Sequence, residues 1–362
     1  MRTFVFMAAR KTIMVAPIHW GLGHATRCIP IIRALEAHGW NVLLGSDGAA
    51  LTLLRKEFPH LNYIELPAYN IRYSKTGFWL KLKLFLHLPD ILRTIQAEKR
   101  IISEYIEEND LDGIISDNRF GIRHPEVPSV FITHQLNVRS GATSPLTSSI
   151  HRRIIRKFDT CWVPDVEGAI NLSGRLGHLS KTTLPITYLG PISRFRKKEI
   201  PQIYDVLCLL SGPEPQRSLF EKKCLEAFQN SPKKILLVQG VIAPKELRSV
   251  KGAVEIVNFL KSEALETAIN QSEVVVSRSG YTTIMDLAAT GKKAFFVPTP
   301  GQDEQQYLAR RLDRLGLVPH CRQDTFSEAQ LDKIPLYKGL KSFAFTLDYT
   351  ELFRLFEREG KL

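Results

Sequence analysis

The chain has 362 residues, of which 44% are hydrophobic and 24% are charged, a composition typical of a globular protein with enough residues for two domains. Its formal net charge of +12 indicates an anionic partner, but no nucleic-acid-binding motif accompanies the charge, so we do not expect nucleic acid to be the ligand. The five cysteines include no C-x-x-C pair, which argues against a disulfide framework or a zinc site and for a reducing cytoplasm.

Alternating strand and helix patterns organise the first half of the chain. Short apolar runs predict strands at residues 12–17, 41–44, 62–66, 113–116, 129–132 and 160–163. Helices are predicted at residues 24–38, where Gly39 ends the helix, and at residues 49–58. This alternation is typical of a doubly wound α/β domain.

The pattern breaks at residues 187–198, where Gly190-Pro191 and a basic cluster interrupt it, and then restarts. Strands are predicted at residues 204–210, 235–238, 254–257, 274–276 and 294–298, and helices at residues 280–291, from residue 303 onward and at residues 348–359. We therefore expect two Rossmann-like domains, residues 1–189 and 190–345, followed by a C-terminal helix within residues 346–362.

Two polar clusters follow consecutive strands of the second domain, where an open parallel sheet binds its ligands. The first contains Ser277, Arg278, Ser279 and Gly280, and the second contains Gly301, Gln302, Asp303, Gln305 and Gln306. Gly280 and the free N–H groups of the next helical turn, near Thr282, offer an anion site. Asp286 can accept hydrogen bonds from a ribose, and the two glutamines suit the hydroxyls of a sugar. The segment therefore predicts a site for phosphate, ribose and sugar.

The same segment resembles the donor-binding segment of the MurG-type glycosyltransferases of the GT-B fold. The resemblance rests on Arg278-Ser279-Gly280, on Asp286 six residues after the glycine, and on Asp303, Gln305 and Gln306. It implies two Rossmann-like domains that face each other across a cleft, with the last helix packed back on the first domain. It also implies that Asp286, which is Glu in the family, holds the ribose, and that Gln305 and Gln306 contact the donor sugar.

A glycine-containing loop, HWGLGHATR, follows the first strand. Gly21 and Gly23 permit a tight turn and a close approach of the backbone to a ligand. The loop resembles the first loop of the same glycosyltransferases, with His24 at the position of their histidine. His24 could then act as a base, or it could cap the helix, whereas His19 is interpreted as structural.

Two further polar segments follow strands of the first domain and are expected to line the same cleft. Asp117 could be the base or could orient His24, and it could also only cap its loop. His134 begins an H-x-x-N segment that resembles a histidine-rich loop of the family, and it is a third candidate catalytic residue.

Other donor contacts are inferred from positions that match the family's phosphate loop, its domain junction and its nucleobase wall. They are Ser211, Gly212, Gln216, Arg217, Arg194, Phe259 and Leu260. Arg217 would replace the N–H groups that two prolines remove from the phosphate loop. Arg194 could instead be an ordinary surface charge, and Phe259 and Leu260 could instead belong to the core.

The resulting functional prediction is an inverting transfer of a sugar from a nucleotide sugar, expected to be UDP-linked, to an acceptor hydroxyl. Helix N-termini and arginines would stabilise the departing diphosphate, so no metal ion or other cofactor is expected. Two alternatives stay open: a nucleotide-sugar 2-epimerase and a non-catalytic nucleotide-sugar-binding protein.

A membrane contact is suggested by residues 78–88, FWLKLKLFLHL, where apolar and basic residues alternate. The segment could equally belong to the core. The resemblance implies a lipid-linked or cell-envelope acceptor, and hence a cytoplasmic protein that is peripheral at the inner face of the membrane. No stretch of 18 residues lacks charges, so a transmembrane span is not expected.

Overall fold

The computed structural model describes residues 10–69, 88–139, 144–241, 243–340, 343 and 347–357. Within these residues the strands form two sheets, one from each half of the chain. The α/β class and the two facing domains that the sequence predicted are thereby confirmed. A membrane contact was suggested for residues 78–88, and residues 78–87 of that segment lie outside the described residues.

The first sheet is parallel throughout and has the strand order β3-β2-β1-β4-β5-β6-β7. Its strands are β1 (Thr12–Pro17), β2 (Asn41–Ser46), β3 (Asn62–Glu65), β4 (Gly113–Asp117), β5 (Ser129–Ile132), β6 (Thr160–Val163) and β7 (Ile186–Tyr188). The helices of this part of the chain are α1 (Gly23–Ala37), α2 (Gly48–Glu57), α3 (Leu88–Glu108) and α4 (Ser144–Ile155).

The second sheet has the order β10-β11-β9-β8-β12-β13, and only the pair of β10 and β11 is antiparallel among its described pairs. Its strands are β8 (Tyr204–Leu209), β9 (Ile235–Val238), β10 (Arg248–Lys251), β11 (Val254–Val257), β12 (Ser272–Ser277) and β13 (Lys293–Phe296). The helices that follow are α5 (Gln216–Ala227), α6 (Ser262–Asn270), α7 (Tyr281–Thr290), α8 (Asp303–Arg314) and α9 (Tyr349–Glu357), with two 3-10 segments at Gln323–Thr325 and Glu328–Leu336.

Apolar composition explains why the central strands form where the sequence predicted them. Strands β4, β5 and β9 are buried along their whole length, as expected for a parallel sheet that is covered on both faces. Gly291 adopts the left-handed conformation, with φ of 64°, and ends α7 where the sequence placed the end of that helix.

One strand boundary and two additional strands differ from the prediction in ways that matter for the site and the domains. Strand β4 includes Asp117, so this carboxylate sits at a fixed position in the sheet rather than in a loop. Strand β7 overlaps the start of the predicted break at residues 187–198, so the first sheet continues to Tyr188 and the interdomain segment starts after it. Strand β10 was not predicted, because its four residues are exposed and mostly polar.

The last helix, α9, packs on the first domain although it follows the second domain in the chain. Phe353 and Phe356 are buried in the core of the first domain with Trp162. A Cβ atom on Gly113 of β4 would overlap the Phe356 ring, so the absence of a side chain at position 113 lets the helix lie close to the sheet. The chain therefore crosses between the domains twice.

Candidate active site between the domains

The carboxyl ends of the two sheets meet, and the first turns of α1 and α7 touch. The Thr282 hydroxyl donates a hydrogen bond to the carbonyl oxygen of Gly23 at 3.2 Å. A Cβ atom on Gly23 would lie 3.0 Å from the Thr282 hydroxyl oxygen, so this contact leaves little room for a side chain. Because both helices present free N–H groups here, their N-termini create a region of positive potential at the interface.

His24, in the first turn of α1, is paired with the buried Asp117 at the end of β4. The distance from His24 Nδ1 to Asp117 Oδ1 is 2.7 Å. Arg27, one turn further along α1 and 1% exposed, donates to both carboxylate oxygens of Asp117. His24 and Arg27 share one face of the helix because they are three residues apart.

The charges in this cluster favour a neutral His24 with a free lone pair. Burial would raise the pKa of Asp117, but Arg27 and His24 outweigh that effect and hold the pKa below its ordinary value. Burial and the nearby Arg27 lower the pKa of His24 below 6.5. Arg27 Nη2 lies 2.9 Å from His24 Nδ1 but donates to Asp117 Oδ1. Because the ionised Asp117 can only accept hydrogen bonds, its contact with His24 places the proton on Nδ1 and leaves the lone pair on Nε2. Such a ring can accept a proton.

His134 connects this cluster to the second domain. Its Nδ1 accepts a hydrogen bond from Arg27 at 3.0 Å, so its proton is on Nε2, which lies 2.7 Å from a carboxylate oxygen of Glu304 in α8. Gln135 donates to the other oxygen of Glu304 at 2.6 Å. The His134 ring stacks on Tyr281, at the start of α7, with centroids 4.4 Å apart. In this structure His134 therefore links the domains rather than presenting a free nitrogen.

Arg27 and Glu304 were not among the predicted site residues. The spacing of Arg27, three residues after His24, was the available signal for the first. Glu304 lies between Asp303 and Gln305, which were both predicted, but only the structure shows that it reaches across to the first domain. Burial would raise the pKa of Glu304, whereas His134, His24 and Arg27 lower it below its ordinary value.

Asp286, the predicted ribose ligand, lies on α7 and faces the interdomain segment. It is 8% exposed, and its Oδ1 accepts a hydrogen bond from the Ser193 hydroxyl at 2.6 Å. Burial raises its pKa to about 6, against the opposing effects of Arg194 and Ser193. Arg194 donates to the Ser262 hydroxyl at 2.8 Å and lines a cavity of about 320 Å³ with Ser262 and other residues. The predicted pair of Asp286 and Arg194 is therefore together at the domain junction.

The first domain also contacts the predicted nucleobase wall. The Lys56 ammonium, in α2, lies 5.0 Å from the centre of the Phe259 ring. Glu57 accepts hydrogen bonds from both the N–H and the hydroxyl of Ser262, at 3.1 and 2.5 Å. Leu260 packs against the core of the second domain, as the alternative interpretation had it. Phe259 thus lies at the interface, and Leu260 supports it.

The side chain of Arg278, which was predicted to contact the donor, does not face the cleft. It is 1% exposed and donates to the carbonyl oxygens of Val297 and Gln216 and to the side chain of Gln323. Its guanidinium lies 4.2 Å from the centre of the Phe220 ring. Burial lowers its pKa to about 10. Arg278 therefore holds the donor-domain loops together from inside.

Arg217 was expected to bind the diphosphate, but its guanidinium is already paired with two carboxylates. It donates to Glu214, just before α5, at 2.6 Å and to Glu221, within α5, at 2.8 Å. With two carboxylates against one guanidinium, the cluster of Arg217, Glu214 and Glu221 has no net positive charge to attract a phosphate. Ser211 and Gly212, in the loop before this helix, are exposed, whereas the carbonyl oxygen of Gln216 is used by Arg278.

The second polar cluster is partly structural. The buried Ser279 hydroxyl donates to the carbonyl oxygen of Gln305 at 2.8 Å, and the Gln305 side chain accepts from the Thr299 N–H at 2.8 Å. These bonds fasten the loop after β12 to the loop after β13. Asp303 is exposed and Gln306 is half-buried at the start of α8, while Gly280 is the N-cap of α7. In the first domain, Gly21 has a φ of 77° and provides the turn before His24.

Comparisons with known proteins agree with this architecture. Residues 218–336 match the model of the glycosyltransferase family 28 C-terminal domain. The chain is 27% identical over 322 residues to the UDP-N-acetylglucosamine–N-acetylmuramyl-(pentapeptide) pyrophosphoryl-undecaprenol N-acetylglucosamine transferase of Glaesserella parasuis serovar 5, covering 86% of this chain and 85% of that protein.

Two solved structures show the fold. The glycotransferase of kitacinnamycin superposes with a TM-score of 0.65 at 15% identity, covering 96% of this chain and 100% of the other. MurG of Acinetobacter baumannii superposes with a TM-score of 0.52 at 14% identity, covering 96% of this chain and 92% of the other. Both likenesses extend over the two domains.

Proposed function

We propose that this protein, which is a glycosyltransferase of the GT-B fold and resembles the MurG-type enzymes, transfers a sugar from a UDP-linked donor to an acceptor hydroxyl with inversion. The observation that carries the proposal is the pair of His24 and Asp117 at the N-terminus of α1, which touches the N-terminus of α7 through Gly23 and Thr282. A base and an anion site meet there, and a displacement at a sugar carbon needs both.

His24 is the base in this proposal. Its Nε2 takes the proton of the acceptor hydroxyl as the oxygen forms a bond to the anomeric carbon and the bond from that carbon to the diphosphate breaks. Asp117 is 0% exposed and paired with Arg27, so it cannot meet an acceptor itself. It instead orients His24 and stabilises the imidazolium that forms. This assigns distinct roles to the two residues between which the sequence could not choose.

The leaving diphosphate would be stabilised by the N–H groups at the start of α7 and by the junction arginine, Arg194. The preorganised positive end of a helix stabilises developing negative charge without rearrangement. Asp286 would hold the ribose, and Gln305 and Gln306 would contact the donor sugar. We infer no need for a metal ion, because the N–H groups at the start of α7 and the Arg194 guanidinium would stabilise the charge of the leaving diphosphate.

A lipid-linked acceptor is the further part of the proposal. It is supported by the printed name of the Glaesserella relative, which includes a pyrophosphoryl-undecaprenol group. No helix among the described residues is long and apolar enough to cross a bilayer. We therefore propose that the protein meets its acceptor from the cytoplasmic side as a peripheral protein.

Product analysis tests the proposed reaction. The enzyme would be incubated with UDP-N-acetylglucosamine and with UDP-glucose, with a polyprenyl-pyrophosphate-linked sugar as acceptor, with and without EDTA. We expect release of UDP together with an acceptor-linked sugar of inverted anomeric configuration, at a rate that EDTA leaves unchanged. An epimerised donor would indicate the 2-epimerase instead, and tight binding of the donor without turnover would indicate a binding protein.

A further inference from the structure

The last turn of α2, in the first domain, lies against the start of α6 in the second domain. Lys56 donates a hydrogen bond to the carbonyl oxygen of Ala243 at 2.8 Å, and its ammonium lies over the Phe259 ring. Glu57, the last residue of α2, accepts hydrogen bonds from both the N–H and the hydroxyl of Ser262, the first residue of α6. The end of α2 therefore contacts two loops and one helix end of the second domain.

The position of Glu57 is unfavourable for its own helix and favourable for the helix that it meets. The free carbonyl groups at the end of a helix carry partial negative charge, so they disfavour a carboxylate there, whereas the free N–H groups at the start of a helix favour one. Only 9% of the Glu57 side chain is exposed, and Arg33 of α1 lies 3.4 Å from its second carboxylate oxygen. Contacts across the domain interface therefore account for this carboxylate better than α2 does.

The Ser262 hydroxyl connects Glu57 to Arg194. It donates to Glu57 Oε1 at 2.5 Å and accepts from Arg194 Nη1 at 2.8 Å. Because an ionised carboxylate can only accept, it fixes the hydroxyl proton on its own side and leaves the oxygen lone pairs to Arg194. Among the residues that the structure describes, this is the one hydrogen bond of the Arg194 side chain. The orientation of Arg194 therefore depends on a residue of the first domain.

Arg194 still has a donor to offer. Its Nε is buried and has no hydrogen-bond partner in the described part of the chain. The same side chain lines the cavity of about 320 Å³ at the domain junction. Buried donors are rarely left unpaired in folded proteins. An unpaired donor on a side chain that lines a cavity indicates a site that a ligand completes.

We propose that Glu57 is a positioning residue that acts through Ser262 on Arg194. This inference rests on the proposed function, in which Arg194 stabilises the leaving diphosphate, and it adds a residue of the first domain to that task. With the domains in contact, Glu57 holds the Ser262 hydroxyl and the hydroxyl holds the guanidinium. With the domains apart, the hydroxyl loses its acceptor and the guanidinium loses a fixed partner. Stabilisation of the leaving group therefore depends on contact between the domains, because only a preorganised charge stabilises the transition state fully.

A double-mutant cycle tests the relay, with the donors and the acceptor of the product analysis. We expect Glu57→Ala and Ser262→Ala each to lower kcat about tenfold and to leave the KM for the acceptor unchanged, because a misplaced arginine costs stabilisation of the charge that develops in the transition state. Ser262→Ala removes one oxygen atom and keeps the N–H that donates to Glu57, so it breaks the relay without removing the contact between the domains. In an Arg194→Ala protein, Glu57→Ala should lower kcat no further, because the residue through which it acts is gone.

Glu108→Ala is the matched control, because Glu108 is an exposed carboxylate at the end of α3 in the same domain. It should have the kcat of the unaltered protein. The relay is refuted if Glu57→Ala or Ser262→Ala has the kcat of this control. It is also refuted if Glu57→Ala lowers kcat by the same factor with and without Arg194, since Glu57 would then act only as a tether between the domains.

Calorimetry with UDP on the unaltered protein tests the donor site separately. Binding of UDP together with independent effects of Glu57→Ala and Arg194→Ala on kcat contradicts the relay and leaves the proposed function intact. A protein that binds no UDP contradicts the proposed function and the relay with it.

Discussion

Asp286→Asn should stabilise the protein at neutral pH while it weakens donor binding. Burial raises the pKa of Asp286 from 3.8 to about 6. A difference of about two pKa units corresponds to about 3 kcal/mol between the charged and neutral forms. Asparagine keeps an oxygen that can accept the hydrogen bond from Ser193 but carries no charge. The substitution therefore removes the cost of a buried charge and retains the contact.

The sign of the effect depends on pH. Between pH 3.8 and about 6 the folded protein keeps the Asp286 proton that the unfolded chain has released, so the free energy of unfolding falls as the pH rises. Above that range the whole penalty is present, and below pH 3.8 it is absent. The variant should be more stable than the unaltered protein by up to about 3 kcal/mol at pH 8, and by much less at pH 4.5.

Urea unfolding at pH 4.5 and pH 8 measures this difference, with Asp332→Asn as the control because Asp332 is an exposed carboxylate of the same domain. Calorimetry with UDP-N-acetylglucosamine measures the second effect. Loss of a charged acceptor for the ribose hydroxyls should weaken binding about tenfold or more. A stability gain that is equal at both pH values would refute the electrostatic reasoning. Undiminished donor affinity would refute the ribose assignment.

Three other changes test the base, the interdomain link and the last helix. His24→Gln should lower the transfer rate about 10²- to 10⁴-fold and leave donor affinity unchanged. In the unaltered enzyme, kcat/KM should fall as the pH drops through the pKa of His24, which lies below 6.5. A variant with normal kcat/KM would show that His24 is not the base. Glu304→Gln should weaken the contact between the domains by about 1–3 kcal/mol, because the carboxylate that accepts from both His134 and Gln135 becomes a neutral amide with one acceptor oxygen. X-ray scattering should then show a larger radius of gyration than for Asp303→Asn. Identical scattering from the two variants would contradict the role of Glu304. Phe356→Ala should lower the free energy of unfolding, measured by urea titration, by about 3–5 kcal/mol, because it empties the space against Gly113. The control Glu357→Ala should change that free energy little. Equal effects would mean that α9 is not anchored by its apolar face.

The buried strands were predictable because parallel strands that are covered on both faces are continuous apolar runs. Strands β1, β5, β6, β9 and β11 have the bounds that the sequence predicted. Strand β7 has three residues and β10 has four exposed ones, so neither differs locally from a polar loop. Their pairing with a neighbouring strand, a tertiary contact, is what makes them strands.

Motif position alone did not show where the side chains of two arginines of the second domain lie. Arg278 stands in the motif that resembles the family's donor segment, but its side chain turns toward Phe220 and away from the cleft. Arg217 follows the phosphate loop, yet Glu214 and Glu221 neutralise it. A sequence shows which residue follows a strand, whereas the direction of a long side chain depends on which partners surround it.

The sequence by itself determined the two α/β domains, the polar loops at the ends of their strands and the resemblance to MurG-type glycosyltransferases. Local patterning suffices for these, because strand period, helix ends and motif spacing depend on neighbouring residues. Only the tertiary structure decided that Asp117 meets His24 across 93 residues of chain, and that Glu304 joins His134 across the domain interface. The pKa directions followed from that packing, because burial and paired charges, which no local pattern encodes, lower the pKa values of His24 and Asp117, and our proposal of His24 as the base depends on them.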